Sequence, residues 1–336
     1  MAIVVLVGWW GASCFFDQKD ARQQLMKSLV IEPGSLSILG ERIGWLNKNN
    51  SPDLETEIEI ILAGDVMLGR TVNRRQIANG WDWALREIGS EMATADWTIV
   101  NLETPLIENC PPTDEGMIFC AEANSVTGLK ATGVDVVNLA NNHTLNYGQL
   151  GLEETREILQ KASIEIVGET GLGDGSLVTK EIAGVKLGLL GFDFVSQTLD
   201  EEKVLAQIRV AKNESQVDFL IVTVHWGVEY EFAPREWQRQ LAARMAAAGV
   251  GAIIGHHSHW IGEREKIEVN GAEVTIYYSL GNLVFDQMWS QKTREGLVVK
   301  LKLTGDGKLR EVQERRVVIY DFGQPRWDGD WRTAQL

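Results

Sequence analysis

All five histidines of this 336-residue chain fall within three short motifs. His143 lies in Leu139-Ala140-Asn141-Asn142-His143-Thr144, His225 in Val224-His225-Trp226-Gly227, and the rest in Gly255-His256-His257-Ser258-His259. Neutral imidazole is the commonest protein ligand for transition metals, and a His-X-His pair can aim two rings at one ion. A lone histidine is more simply a satisfied polar side chain, but here every histidine sits in a motif that follows an apolar run. Asp65, Glu103 and Asn142 close such runs as well. Carboxylate, amide oxygen and imidazole together suit one or two divalent ions such as Mn, Zn or Fe better than a thiolate site or a calcium cage.

The elements that must present these donors are legible from periodicity. Apolar strands are expected over 58–65, 97–103, 134–143, 185–192, 219–227 and 250–257, each ending on polar groups. Helical patterns fall between them at 83–93, 150–161, 204–212 and 235–248. Strand, polar turn, helix, strand is the signature of an α/β fold, and the strand ends are where such folds collect ligands. After residue 265 strands follow one another alone, with a hairpin at 303–308.

Composition is ordinary for a globular chain, with 44% hydrophobic and 24% charged residues. The net charge of −15 argues against nucleic acid as a partner, since no basic run is available to neutralise phosphates. It would also repel an anionic substrate unless bound cations reversed the sign locally. Cys110 and Cys120 bracket a loop rich in turn formers, which predicts a disulfide and an oxidising compartment, the alternative being two free thiols. Residues 1–16 are apolar and signal-like, although no Lys or Arg precedes the run. They predict an exported, extracytoplasmic protein, the segment serving either as a secretory signal or as a membrane anchor, with a lipid on Cys14 as a further alternative. Residues 17–56 read as a polar extension, 57–325 as one domain, and 326–336 as a tail.

The ordered motifs Gly64-Asp65-Val66-Met67-Leu68-Gly69-Arg70, Asn101-Leu102-Glu103-Thr104-Pro105, Asn138 through Gly148, Val224 through Tyr230, Gly255 through His259 and Tyr278 through Asp286 resemble the calcineurin-like metallophosphoesterase superfamily. Within it they are most similar to bacterial capsule-synthesis and poly-γ-glutamate-synthesis proteins of the CapA type. The resemblance spans about residues 57–290 and implies a layered α/β fold, two central mixed sheets flanked by helices. It implies an anionic small-molecule or polymer substrate and a membrane-associated polymer synthase as partner.

Residue by residue, Asp65 resembles the first-metal carboxylate, and Glu103 stands where the superfamily has a bridging Asp. Asn142 and His225 resemble second-metal ligands, and His257 and His259 match the closing His-X-His, with His256 offering a second register. His143 is similar to the histidine that contacts the leaving group and would protonate it. Arg70 either clamps an anionic oxygen or is a solvated helix residue. Glu229 and Glu231 either reach the cleft or are surface charges; Trp226 and Trp260 either wall the pocket or pack the core; Asn282 and Asp286 read as structural support. Two departures matter: Glu103 adds a methylene where the superfamily has its bridging Asp, and the superfamily's Asp-X-His is here Asp65-Val66-Met67, where a thioether does not replace imidazole on such a metal. Three readings follow: a metal-dependent phosphoesterase, a capsule-pathway component that handles an anionic polymer, and a metal-bearing scaffold without turnover.

Overall fold

The computed structural model describes residues 55–168, 176–269 and 271–336. The 1–16 segment, Cys14 and nearly all of the 17–56 extension lie outside the described residues. The first strand, β1 (Glu57–Val66), shows how the layers arise. Ile58, Ile60 and Leu62 enter one apolar cluster, while Ile61 and Ala63 enter another on the opposite face. A strand buried on both faces reads as the continuous apolar run seen in the sequence.

The larger sheet joins β1 to β2 (Trp97–Leu102), β5 (Val136–Asn138), β6 (Glu165–Val167), β13 (Asn282–Val284), β14 (Glu295–Thr304), β15 (Leu309–Tyr320) and β16 (Gln324–Thr333). Its order is β16-β15-β14-β1-β2-β5-β6, with β13 pairing β1 in parallel. The second sheet holds β7 (Val178–Ile182), β8 (Val185–Asp193), β9 (Phe219–His225), β10 (Ala252–His256), β11 (Arg264–Val269) and β12 (Ala272–Tyr277) in the order β11-β12-β10-β9-β8-β7. A two-stranded piece pairs β3 (Leu106–Ile107) with β4 (Ala121–Glu122).

Ile58, Ile60, Trp97 and Val136 of the larger sheet share one cluster with Leu187, Phe219, Ile221 and Ile254 of the second, so the sheets face each other. Helices cover the outer faces. Those described are α1 (Arg70–Asn79), α2 (Arg86–Met92), α3 (Val126–Ala131), α4 (Gly148–Lys161), α5 (Glu201–Asn213) and α6 (Glu236–Ala247). Ile88, Leu129, Leu152 and Leu159 pack outside the larger sheet, and Val204, Ile208, Leu241 and Met245 outside the second. This is the layered α/β arrangement with two mixed sheets that the resemblance implied. Among the described residues, no helix is long and apolar enough to cross a membrane.

Two expectations need correction. The 326–336 segment is not a tail, because β16 pairs with β15 from Tyr320↔Gln324 to Gln313↔Thr333, and Trp327 and Trp331 pack on the core. The helix expected over 83–93 begins only at Arg86, while Trp83 is buried in the cluster beneath it.

Parallel pairing is what builds the site. Asp65 stands opposite Asn101 on β2 and Asn282 on β13, while His225 stands opposite Asp193 on β8 and His256 on β10. The C-terminal ends of both sheets thereby deliver their donors to one edge. The register of β1 shifts between Ala63 and Asp65, and a Cβ on Gly64 would lie 2.0 Å from the carbonyl oxygen of Gly281, so only glycine allows this approach.

Candidate metal centre

Asp65 and Glu103 sit at the ends of adjacent strands, and both are fully buried. Around Asp65 every acceptor position is taken. Oδ1 accepts from Asn101 Nδ2 at 2.9 Å and lies 3.1 Å from His256 Nδ1; Oδ2 lies 3.1 Å from His259 Nδ1 and accepts the His257 N–H at 3.4 Å. A carboxylate offers about four lone-pair sites, so this set fills it. Burial works to raise the pKa of Asp65, but the two imidazole hydrogen bonds hold it well below the usual carboxylate range. An ionised carboxylate only accepts, so His256 and His259 carry a hydrogen on Nδ1, which turns Nε2 of each ring away from Asp65.

Glu103 is the opposite case. Neither of its buried oxygens accepts a hydrogen bond. His225 Nε2 stands 3.2 Å from Oε1, close but without hydrogen-bond geometry, and His259 Nδ1 is 3.9 Å from Oε2. Burial first, then the neighbouring charges of Asp65, Glu229 and Asp193, push the Glu103 pKa well above its ordinary value. An unpaired interior carboxylate is costly as an anion, and a cation beside it removes that cost.

The imidazoles match that requirement. Asp65, Glu103 and His225 form a buried group whose ligand atoms all lie within 4.8 Å of one another, and such a group could hold a metal ion. His225 Nε2 is also 2.9 Å from Asn142 Oδ1, which adds the amide oxygen to the set. Burial, reinforced by the charge of His257, holds the His225 pKa well below normal, in its ligand-competent neutral form. His257 Nδ1 is buried without a partner, and burial, with His259 adding to it, brings that ring to about 4. His257 and His259 occupy positive φ, +92° and +57°, a conformation that non-glycine residues adopt at a cost and that here turns the loop after β10. His256 instead supports Asp65 from the last position of its strand. The donor chemistry fits a divalent metal ion.

His143 lies beside this group. Its Nδ1 is 3.0 Å from Asn146 Oδ1, its Nε2 is 3.3 Å from Asn142 Nδ2, and burial lowers its pKa. Arg70 starts α1 at a φ of +49° and is not solvated. Its guanidinium is bound by Asp286, donates to the Gly116 carbonyl at 3.0 Å and lies 4.7 Å from the Phe119 ring centre, while Nε is buried without a partner. Asp286 is thus the partner of Arg70. Asn282 places Oδ1 3.0 Å from His259 Nδ1, at the centre itself. Met67 is fully buried among apolar side chains, and its sulfur accepts the Gly69 N–H at 3.1 Å. Trp226 packs in the core outside the second sheet, while Trp260 stays partly exposed, 6.1 Å from Tyr230. Glu229 lies near enough to act electrostatically on Glu103, His143 and His257, while Glu231 pairs with Arg235 on the surface.

The sequence reading missed how the amides are wired. Asn101 Oδ1 accepts from Asn138 at 2.9 Å and from Asn141 at 3.3 Å, so three asparagines from two strand ends lock one another in place. Their signal was present in the Asn-rich strand ends, but their partners became visible only with the parallel register. Cys110 and Cys120 are disulfide-bonded, as expected.

Parallel strand ends from two facing sheets, converging carboxylate, amide and imidazole groups in a buried cluster, define an α/β protein with a candidate divalent-metal centre. The chain belongs to the family described as bacterial capsule synthesis protein PGA_cap, whose model matches residues 59–287. It is 32% identical over 314 residues to the PGA biosynthesis protein CapA of Bacillus subtilis, covering 86% of this chain and 81% of that one. It is 30% identical to the capsule biosynthesis protein CapA of Bacillus anthracis, covering 75% of this chain and 65% of the relative. A probable polyglutamine synthesis accessory protein of Mycobacterium tuberculosis is 25% identical over 299 residues, covering 70% and 76% of the two chains. Among solved structures, PhoD is similar at a TM-score of 0.43 and 9% identity over 84% of this chain and 70% of that one, too slight a likeness to carry an argument.

Proposed function

We propose that this protein is a metal-dependent hydrolase of the capsule pathway, acting on an anionic substrate that belongs to, or is attached to, a polyglutamate-type polymer. The observation that carries the reading is Glu103: a buried carboxylate with both oxygens unpaired, set among neutral imidazoles. Glu103, Asn142, His225, His257 and His259 would hold one or two divalent ions, with Asp65, its acceptor sites filled, orienting His259 and the loop that carries His257. A bound ion would supply Lewis acidity, lowering the pKa of water and offsetting substrate charge in a chain of net charge −15. His143, its Nδ1 hydrogen engaged by Asn146, would take up a proton at Nε2 and pass it to the leaving group. Arg70 orients an anionic oxygen through its unpaired Nε, on a guanidinium already steadied by Asp286. The Cys110–Cys120 disulfide supports an extracytoplasmic location, where a membrane-associated polymer synthase would be the partner.

The test is metal analysis of the purified protein, then turnover of a generic phosphodiester and a γ-glutamyl anilide with and without chelator. Stoichiometric metal and chelator-sensitive turnover lost in His225→Ala are expected. Phosphodiester turnover would favour phosphoester chemistry, and γ-glutamyl turnover polymer processing. Tight metal with neither turnover identifies a non-catalytic scaffold, and a folded protein without metal removes the premise.

A further inference from the structure

Residues 110–120 form a strap beside the metal centre, closed at its base by the Cys110–Cys120 disulfide and joining β3 to β4. The strap has little burial of its own at its tip, where Met117 is 56% and Ile118 64% exposed. Its base is fixed instead by the disulfide, packed with Ile107 in a small apolar cluster. The base also lies hard against the turn that carries Arg70, for a Cβ on Gly69 would meet the Cys120 carbonyl oxygen at 2.7 Å.

The strap's contacts converge on two candidate site residues. The Phe119 ring stacks on His143 with centres 4.1 Å apart and planes 26° from parallel, and it also receives the Arg70 guanidinium. The Phe119 N–H donates to Asn146 Oδ1 at 2.7 Å, and His143 Nδ1 lies 3.0 Å from the same oxygen. Because the backbone N–H must donate, the Asn146 atom is its oxygen, and His143 must bring a hydrogen on Nδ1. That leaves the Nε2 lone pair beside Asn142. On the other side, the Gly116 carbonyl accepts from Arg70, and Asp114 engages Thr71 and Arg74 at the start of α1.

We propose that the disulfide-closed strap is the positioning element of this centre: Phe119 and Asn146 fix the ring plane and tautomer of His143, while Gly116 fixes the Arg70 guanidinium. Phe119, Asn146 and the two cysteines are positioning residues, acting through His143 and Arg70. The inference rests on the reading of His143 as the proton-carrying group, but its structural half stands without turnover.

The test uses the protein labelled with 15N-histidine, its His143 signals assigned by their loss in His143→Gln. The native ring should show a single tautomer protonated on Nδ1. In Phe119→Ala, in Asn146→Ala and in the double variant Cys110→Ser/Cys120→Ser, that signature should give way to an exchange average, with Phe119→Tyr restoring it. Turnover, where the native protein has it, should fall by about tenfold or more in kcat with KM changed less than about twofold, as expected when a reacting group is misplaced rather than removed. An unchanged tautomer in folded Phe119→Ala overturns the proposal, and this variant decides the matter alone if the serine pair does not fold. A shifted tautomer in a protein without turnover keeps the strap and discards the hydrolase.

Discussion

Asp65 and Glu103 are neighbours on adjacent strands, equally buried, and yet their surroundings are opposite. Asp65 meets four donors and is held ionised; Glu103 meets none, and its pKa is driven upward. The first is a preassembled structural anion that orients two imidazoles and a loop. The second is complete only beside a cation. One half of the centre therefore belongs to the fold, and the other half belongs to the ligand.

The largest effect should come from the filled side. Asp65→Ala removes the buried acceptor shared by Asn101, His256, His259 and the His257 N–H, with Asn282 left as an acceptor for His259 alone, and breaking such a set costs about 3–5 kcal/mol. The expected fall in Tm is on the order of 5–10 °C, present with or without chelator, and accompanied by loss of metal. A Tm unchanged in chelator would show that the Asp65 network does not hold the loop after β10.

Glu103→Gln should separate the two halves. In chelator the variant should be as stable as the native protein at low pH and more stable at high pH. The sign follows from linkage: a carboxyl whose folded pKa is raised binds its proton more tightly in the folded state, so its contribution is fully present below the ordinary value of 4.5 and is lost as pH rises through the folded pKa. Asp65 behaves inversely, its contribution present above its ordinary value of 3.8 and lost as pH falls toward its depressed folded pKa. With metal added the order reverses, and native protein should gain more Tm than Glu103→Gln. Parallel Tm–pH curves for the two proteins in chelator would break the contrast.

The sequence revealed the filled side and the open side to different degrees. Donor types and strand ends were readable, because the nearly continuous apolar runs that stop at Asp65, Asn101-Leu102-Glu103 or His225 need no partner to be recognised. What each donor touches depends on register between distant strands. Asn282 could be placed only as structural support until β13 was seen to pair beside Asp65. Helix α1 left no periodic pattern because Val72, Asn73 and Gln76 are its buried residues, too few apolar groups to mark a face. Strand β16 was mistaken for a tail because Pro325 and Gly329 interrupt a largely polar stretch, whose two tryptophans nevertheless pack on the core.

The smallest expected effect concerns Met67, where the resemblance would place an imidazole. If the missing ligand alone limited the centre, Met67→His would add an ion. The structure argues otherwise: the Met67 side chain is enclosed by an apolar cluster that includes Phe119 and Phe285, and its sulfur serves the Gly69 N–H of the turn leading to Arg70. An imidazole there would bury a polar nitrogen at a cost of about 1–3 kcal/mol. The expected outcome is a Tm lower by a few degrees with unchanged metal stoichiometry, measured by elemental analysis. An added equivalent of metal, bound without loss of stability, would mean that the open half of the centre extends to Met67 and that Asp65 can release one of its donors to share an ion.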